Sequence, residues 1–599
     1  MATQRNWPDP NARPHGERDE PIREALRAQL TTAPGQVIPG EWAGGIPEEM
    51  ATLPQLRLGR RWVSFGQLLT VVVVAGLVCG VAGIFVARYL RTLQPVQAFI
   101  ANYPATGSFS AEVTTGFPWW LRYQHYFNLV LMLFIIRSGL QILADHPRLT
   151  FDAGCKPDTE FLRLRGPVPR DRPWSSKDDA VTLPRWLGLP GIRHSIGLAR
   201  WWHFSLDLFW VVNGVVFYSL LFATGQWQRL LPVSWSVFPS ALSTGLQYLS
   251  LDFPPPSGWS QYNGLQMLAY LTTVFVAAPL AIITGLLQSP AVASKLSSGR
   301  GILNRQVSRT VHFGVLLYFI GFIGVHVTMV FITGWRVNLN HITRGVNAPD
   351  WSGVWLFAVG IAIIVVLWLL ATPLTLRFAR TVQETGRGLV GWMMAGMERW
   401  SPSAEYAEKD ISPFFWTNGT PPDSAEYKRL KAGGFADYKL KIGGLVERPM
   451  EISFSDLRRM PKQEQITQHY CIQGWSGIAK WGGASMKDVM QMVRPKPEAR
   501  FAVFLSFSHG PDSGSGLFYD VHKVASMYHP QTILAYEMNG QLLPEDHGAP
   551  LRLRDELELG FKQVKWVQGI LFVESFADFG SGQGGFNEDY EFYGWRDPI

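Results

Sequence analysis

Five residues of this 599-residue sequence could hold redox metals. His125, His203, His312 and His326 lie in strongly apolar stretches, whereas Cys471 lies much later, in the run His-Tyr-Cys-Ile-Gln-Gly-Trp-Ser. Imidazole is a standard axial ligand of haem iron, and a polar side chain inside a membrane span is costly enough to be a functional candidate. The sequence therefore predicts haem within a membrane region and a cysteine-based site outside it.

The histidines lie on three of six apolar segments, each long enough, or nearly so, to cross a hydrocarbon layer that needs about 20 helical residues. The segments span residues 64–90, 118–143, 203–224, 264–288, 310–333 and 353–374. Charged residues make up only 17% of the chain, a low fraction for a soluble protein. We predict an all-α bundle of six transmembrane helices.

Helix geometry pairs the four histidines. His312 and His326 share the fifth segment, and a separation of about 21 Å, close to four turns, puts both on one face of that helix. Because the second and third segments run in opposite directions, we expect His203 to meet His312 near one membrane surface. His125 should then meet His326 near the other, which gives two b-type haems stacked across the bilayer. Three histidines in connections are not expected to be ligands: His146, His194 and His341.

Three arginines are candidate partners for haem propionates. Arg137 lies inside the second segment, where an unpaired cation would be costly. Arg200 and Arg309 each precede a candidate ligand by three residues, near a membrane surface. Two glycines on these helices could admit a flat macrocycle: Gly139 and Gly321.

The net charge of +7 comes largely from basic residues that flank the apolar segments. This arrangement favours a role in membrane topology over nucleic-acid binding. The positive-inside rule puts both termini and the second and fourth connections in the cytoplasm. We therefore expect a multi-pass protein of the bacterial inner membrane with a cytoplasmic C-terminal domain.

Composition divides the chain into four parts. Residues 1–60 are polar and predict a disordered tail, residues 61–375 form the membrane domain, and residues 376–408 predict an amphipathic interfacial linker. Residues 409–599 alternate as short strands, for example at 464–470, 501–507 and 532–538, with a turn at Asn539-Gly540. This last part predicts a mainly β, α+β domain.

Cys471 alone is compatible with three kinds of site. A single cysteine is usually a buried structural thiol. It could also be a nucleophile assisted by the nearby His469, or a thiolate ligand of a soft or high-valent metal. The three cysteines form no CxxC pair, so neither a disulfide framework nor a paired metal site is indicated.

The membrane region resembles the di-haem cytochrome b subunits of respiratory formate dehydrogenase and nickel-iron hydrogenase. The resemblance covers about 118–334 and is carried by Arg-Tyr-Gln-His125, Arg-Trp-Trp-His203-Phe, and His312 with His326. It implies electron exchange between a partner enzyme and membrane quinone, with a quinone site beside one haem.

The C-terminal region resembles the sulfite oxidase superfamily, most nearly the molybdopterin-containing catalytic subunits of bacterial methionine sulfoxide reductases. The resemblance covers roughly 410–575. Its motifs, in order, are Cys471-Ile-Gln-Gly-Trp-Ser, Trp481-Gly-Gly, His529-Pro, His547-Gly-Ala-Pro-Leu-Arg552 and Gly560-Phe-Lys562-Gln-Val-Lys565-Trp.

This second resemblance implies that Cys471 is the equatorial thiolate on molybdenum. It also implies a set of pterin contacts: Phe415, Asn418, Ser506, His547, Arg552, Gln563, Val564 and Lys565. Gln473 stands where the reductase branch often has an acid, and His547 stands where it has an amide. Because of these two differences, the family's substrate cannot be assigned to this chain. Sulfoxide reduction and sulfite oxidation both stay open.

We predict a membrane-bound molybdenum oxidoreductase that exchanges electrons between a small oxide or sulfur-type substrate and quinone through two haems. Many relatives of the catalytic domain work in the periplasm, so that location stays open too. The expected partners are the lipid bilayer, quinone or quinol, the substrate and a second copy of the chain in a homo-oligomer, with no nucleic acid. One alternative is a di-haem electron carrier with a metal-free docking domain, and another is a cysteine-dependent hydrolase on a membrane anchor.

Overall fold

A computed structural model describes residues 55–105, 115–164, 179–254, 258–292, 304–398, 406–509 and 517–596. Most of the predicted polar tail, residues 1–54, lies outside these ranges. The end of that tail differs from the prediction of disorder, because Gln55–Leu58 (β1) pairs with Arg61–Ser64 (β2) across a turn at Gly59. Gly59 has a φ of +63°, a value that glycine adopts readily.

Ten helices lie between residues 65 and 398 of the described chain. In order they are α1 (Phe65–Leu90), α2 (Gln94–Asn102), α3 (Trp119–Asp145), α4 (Ile196–Ala223), α5 (Val237–Leu249), α6 (Gly264–Leu286), α7 (Arg305–Ile332), α8 (Trp335–Thr343), α9 (Ser352–Arg377) and α10 (Ala379–Glu398). Six of them are long and apolar enough to cross a membrane, namely α1, α3, α4, α6, α7 and α9. The six-helix prediction is therefore confirmed.

Side-chain caps fix where several of these helices begin. Ser64 accepts from the Gln67 backbone at the start of α1, and the Asn304 side chain accepts from the backbone of Gln306 and Val307 at the start of α7. Within α6, residues Thr273–Ala277 form a π-helical turn, which widens the helix in the middle of the span.

The two ends of the bundle carry different structure. On one side, here called the proximal side, the connection between α3 and α4 supplies β3 (Arg148–Leu149) and β4 (Leu162–Arg163), which extend the β1–β2 hairpin into a sheet of order β2-β1-β4-β3. The short helices α2, α5 and α8 lie at the opposite, distal side. The N-terminal ends of α4 and α7 are proximal, whereas the N-terminal end of α3 is distal.

The described residues of the C-terminal domain form ten strands and four short α-helices. The helices are Ala425–Ala432 (α11), Phe454–Arg459 (α12), Met486–Val493 (α13) and Phe586–Tyr590 (α14). The strands are β5 (Lys439–Gly444), β6 (Met450–Ser453), β7 (Lys462–Tyr470), β8 (Ser476–Ser485), β9 (Phe501–His509), β10 (Leu517–Lys523), β11 (Ile533–Met538), β12 (Gln541–Leu542), β13 (Arg552–Arg554) and β14 (Val567–Val573). The mainly β prediction is confirmed.

The strands form two sheets around one core. One sheet has the order β10-β9-β14-β5-β6, and the other has the order β12-β11-β8-β7 with β13 paired to β11. Apolar side chains from both sheets pack between them, among them Leu440, Phe504, Leu534 and Ile570. Residues Tyr470 to Ser476, which connect β7 to β8, lie at the edge of this core.

The C-terminal domain rests on the proximal side of the bundle. Trp416 donates from its indole nitrogen to the Cys155 carbonyl at 2.7 Å, and Trp201 at the start of α4 donates to the Phe592 carbonyl at 2.7 Å. Residues 379–398 of the predicted interfacial linker form α10, whose Arg380 donates to the Asp589 carbonyl at 2.9 Å, and residues 399–405 lie outside the described ranges. The linker thus also anchors the end of the chain.

Candidate functional site

The structure brings the four membrane histidines together as two pairs. The rings of His125 on α3 and His326 on α7 have centroids 6.2 Å apart, toward the distal side. The rings of His203 on α4 and His312 on α7 have centroids 6.5 Å apart, toward the proximal side. Two imidazoles bound to one metal through bonds of about 2 Å have ring centres roughly 6 Å apart. Both pairs therefore fit bis-imidazole ligation of a haem iron, a role that stays a prediction.

Hydroxyl groups fix the orientation of both proximal imidazoles. Ser138 Oγ lies 3.0 Å from His203 Nδ1, and Thr284 Oγ1 lies 3.0 Å from His312 Nδ1. Each hydroxyl already donates its hydrogen to a carbonyl of its own helix, at 2.9 Å for Ser138 and 2.6 Å for Thr284. A hydroxyl has a single hydrogen, so each oxygen accepts from Nδ1–H and the Nε2 lone pair is left for a metal.

The two glycines singled out in the sequence lie beside this space. A β-carbon placed on Gly139 would come 3.3 Å from His203 Cε1, so a larger residue would press on that ring. A β-carbon on Gly321 would meet no described atom within 4 Å. Both positions are compatible with a flat macrocycle between the helices.

Arg137 was predicted to contact a haem propionate, but in the structure it binds groups of the protein. Its guanidinium donates to the Gly188 carbonyl at 3.1 Å, to the Trp368 carbonyl at 2.6 Å and to Thr372 Oγ1 at 2.7 Å. These acceptors tie α3 to α9 and to the α3–α4 connection. Because its donors are engaged by the protein, the arrangement does not support a propionate contact. Of the other two arginines, Arg309 binds backbone carbonyls in the same connection and Arg200 stacks on Phe204.

Asp207 is a membrane-helix acid that the sequence analysis missed. Its carboxylate lies 3.6 Å from His203 Nε2, one helical turn along α4, and its side chain is 39% exposed. An acid in an apolar span is energetically costly and is therefore a functional candidate. A single Asp within a run of apolar residues was the signal that could have identified it in the sequence.

Cys471 occupies a tight turn between β7 and β8. Its backbone N–H donates to the Trp475 carbonyl at 3.0 Å, and Gly474 N–H donates back to the Cys471 carbonyl at 3.0 Å. Gly474 has a φ of +99°, which a larger side chain would adopt only with strain. The turn fixes the thiol, which is 3% exposed.

Two amide side chains approach the Cys471 sulfur. Asn418 Nδ2 donates to Sγ at 3.3 Å and to Gln473 Oε1 at 3.0 Å. A hydrogen bond to sulfur favours the thiolate form that a metal ligand requires. Asn418 and Gln473 therefore surround the atom that would bind molybdenum.

A group of cations lies near the other predicted pterin contacts. Arg552 is 3% exposed, donates to the His547 carbonyl at 3.0 Å, and its Nε has no hydrogen-bond partner among the described residues. Burial and the neighbouring Arg554 lower the pKa of Arg552, and burial and Arg552 lower the pKa of Lys565 well below its usual value. A buried arginine beside a partly exposed lysine that it repels fits a site for a phosphate group.

The remaining predicted contacts are mostly held by protein groups. Ser506 donates to the Lys565 carbonyl at 2.8 Å, Gln563 Nε2 donates to backbone carbonyls, and Val564 is a fully buried core residue. Phe415 packs on the rings of His469 and His547 at 5.5 and 5.6 Å. These residues line or support the region, and their contact with a pterin stays a prediction.

His469 is held as a hydrogen-bond acceptor. Arg554, which pairs with Glu556, donates to His469 Nδ1 at 2.8 Å. Burial and the nearby Arg554 and Arg552 lower the pKa of His469 well below its usual value. With Nδ1 engaged by a guanidinium, the ring is a poor general base for Cys471, which weakens the hydrolase alternative.

Two family models match the chain in the regions just described. The model described as "Prokaryotic cytochrome b561" matches residues 116–345, and the model described as "Oxidoreductase molybdopterin binding domain" matches residues 429–578. The first contains all four membrane histidines. The second contains Cys471, Arg552 and Lys565.

Two curated relatives are similar to part of this chain. The chain is 31% identical over 160 residues to an Azospira oryzae protein provisionally assigned as the protein-methionine-sulfoxide reductase subunit YedZ1, covering 27% of this chain and 55% of that one. It is 30% identical over 173 residues to the protein-methionine-sulfoxide reductase catalytic subunit MsrP of Xanthomonas axonopodis pv. citri, covering 27% of this chain and 52% of that one. The chain thus spans about half the length of the curated relatives it matches.

Among solved structures, the sulfane dehydrogenase SoxCD from Paracoccus pantotrophus is 24% identical, over 23% of this chain and 39% of that one, with a TM-score of 0.21. That score is too low to support an argument, so the assignment rests on the two family models and the curated relatives. The chain therefore joins a multi-pass membrane region that matches the cytochrome b561 model to a C-terminal region that matches the model of the molybdopterin-binding oxidoreductase domain.

Proposed function

We propose that this chain is a membrane-bound molybdenum oxidoreductase that exchanges electrons between a small oxide or sulfur-type substrate and membrane quinone through two b-type haems. One observation carries the proposal: the turn that contains Cys471 is hydrogen-bonded to α7, the helix that carries His312 and His326. A redox site and its electron carriers would then belong to one continuous structure.

The site geometry is compatible with the following residues as the ones that would hold each group. Cys471 would bind molybdenum, and Arg552 and Lys565 would bind the pterin phosphate. His125 with His326, and His203 with His312, would bind the two haem irons. When bound, molybdenum supplies two-electron chemistry at the substrate, and haem supplies single-electron carriage.

The protein's own groups would orient the sulfur ligand. Asn418 donates to Cys471 Sγ, and Gln473 accepts from Asn418, so the two amides hold one another beside the metal position. Gln473 can donate a hydrogen bond to a bound oxide, but unlike a carboxylic acid it does not deliver a proton at neutral pH. Protons for an oxide reduction would therefore enter through water.

Two further observations support a proposal for the substrate and for the direction of electron flow. The relatives are named for methionine sulfoxide reduction, so we propose that the preferred direction is reduction of a sulfoxide-type oxide by quinol. The buried Cys471 lies in one apolar cluster with Cys155 and Ile196 of the membrane domain and with Tyr593 near the end of the chain. This enclosure favours a small substrate over a side chain on a folded protein.

Quinone would meet the chain within the bilayer. Asp207 is half-exposed on a membrane helix beside His203, where a carboxylate can accept a hydrogen bond from a quinol hydroxyl. The positive-inside rule further supports a cytoplasmic catalytic domain, and a homo-oligomer stays compatible with the proposal.

Metal analysis tests the proposal. Detergent-purified wild-type protein should contain about one molybdenum and two haems per chain, and Cys471→Ser should lose molybdenum while keeping both haems. Two haems without molybdenum, in cells that make the cofactor, would contradict the proposal. That result would favour the alternative of a di-haem electron carrier with a metal-free docking domain.

A further inference from the structure

Two side chains at the start of α7 bind the backbone of the Cys471 turn. Arg305 Nη1 donates to the Cys471 carbonyl at 3.1 Å, and Gln306 Nε2 donates to the Gly474 carbonyl at 2.8 Å. Gln306 is 2% exposed, so its bond is shielded from water. Hydrogen bonds to both ends of so short a turn leave it little freedom to shift.

Arg305 is itself fixed from a second direction. Its Nε donates to the Gln288 carbonyl, just beyond α6, at 3.0 Å, and its guanidinium lies 5.9 Å from the ring centre of Tyr470. A planar guanidinium with donors at fixed angles loses little freedom when it joins two carbonyls. Arg305 thus connects α6, α7 and the Cys471 turn.

Helix geometry relates this contact to the proximal histidine pair. Arg305 and His312 are two turns apart on α7, about 10 Å along the axis, and they share a face. Arg309 lies between them, and a β-carbon on Gly474 would come 3.2 Å from its guanidinium. One rigid helix therefore carries both the contacts to the cysteine turn and a candidate haem ligand.

The same interface extends through the α3–α4 connection. Arg309 donates to the carbonyls of His146 and Arg148 at 2.6 and 2.8 Å, and the Arg148 guanidinium lies 3.8 Å from the ring centre of Trp416. Trp416 in turn lies two residues before Asn418, which contacts the Cys471 sulfur. The connection therefore reaches the surroundings of Cys471 through Trp416 and the nearby Asn418.

We propose that Arg305 and Gln306 are positioning residues that hold the Cys471 turn at a fixed place relative to His312, so that the chain's own cytochrome domain is the redox partner of its catalytic domain. The expected effect on electron transfer rests on the proposed function. The immobilised turn is supported by the hydrogen bonds alone. Both residues contact the backbone of the turn and would act through it.

Hydrogen–deuterium exchange tests the structural part in the full-length protein. Gln306→Leu removes one donor at similar size, and Arg305→Lys keeps the charge but removes the planar fork. Each should speed exchange at the Cys471–Trp475 amides about tenfold, the factor expected from loss of a buried hydrogen bond. Arg344→Lys, an exposed change at the distal side, is the matched control and should leave these amides unchanged.

Rapid mixing tests the redox part. Haem in prereduced protein should be oxidised by a sulfoxide substrate about tenfold more slowly in Gln306→Leu and Arg305→Lys, while haem content and substrate turnover driven by reduced methyl viologen stay near wild type. Wild-type exchange and wild-type haem kinetics in both folded variants would overturn the inference. If wild-type haem is never oxidised by substrate, the proposed function fails, and the exchange measurement still decides whether the turn is held.

Discussion

The hydroxyl of Thr284 offers a direct way to perturb the proximal histidine pair without touching a ligand. Thr284→Val keeps the shape of the side chain but removes the oxygen that accepts from His312 Nδ1–H at 3.0 Å. A buried donor left without a partner costs about 1–3 kcal/mol. Loss of such an outer-shell contact lowers metal affinity by about 10- to 100-fold in known sites.

We therefore expect Thr284→Val to weaken haem binding at the proximal pair by about 10- to 100-fold and to leave the distal pair unchanged. Titration of haem into haem-depleted protein, followed by the Soret absorbance, should turn a curve with two tight sites into one tight and one weak site. Thr272→Val is the control, because this hydroxyl bonds the Leu268 carbonyl within the same helix. A Thr284→Val curve identical to wild type would refute the assignment of Nε2 to the metal.

The remaining predictions concern the cofactor cations, acid stability and the quinone. Arg552→Gln should lower molybdenum content at least about tenfold by removing a buried charge from the phosphate position, whereas the exposed Arg429→Gln should not. Burial and nearby arginines lower the pKa of His146 well below its usual value, so its stabilising effect is present above about pH 6.5 and is lost as pH falls. The free energy of unfolding in urea should therefore fall less between pH 7.5 and pH 5.5 in His146→Gln than in wild type. Asp207→Asn should slow haem reduction by quinol about tenfold but not by dithionite, and equal slowing by both would argue against a quinone contact.

Much of the membrane domain was predictable because the length of the apolar segments and the direction of the helices constrain it. A run of about 20 apolar residues has few alternatives to a spanning helix, and helix direction then determines which histidines lie at the same depth. The pairing of His125 with His326, and of His203 with His312, needed no knowledge of side-chain packing. The strands around Cys471 were likewise visible as alternating segments ending in turn residues.

The missed features depend on how distant segments fold back on one another. Arg137 was assigned to a propionate because its charge had no partner in the sequence, but carbonyls from a loop and from α9 engage it in the fold. Gln55–Leu58 was assigned to a disordered tail, yet it becomes a strand by pairing with Leu162–Arg163 more than 100 residues later. The contact of Arg305 with the Cys471 carbonyl joins residues 166 positions apart, and no local pattern encodes such a separation.

From the contacts between the two domains we infer that one chain connects a cysteine-bound molybdenum to membrane quinone. The most direct test is to reduce the protein in lipid nanodiscs with a quinol, remove excess quinol, and mix it anaerobically with a small sulfoxide while following the haem absorbance. We expect both haems to be oxidised in wild type and neither in Cys471→Ser, with equal haem content in the two proteins. Haem oxidation that is unchanged by Cys471→Ser would contradict this inference. So would a wild-type protein whose haems are not oxidised by sulfoxide and that does not transfer electrons from sulfite to quinone.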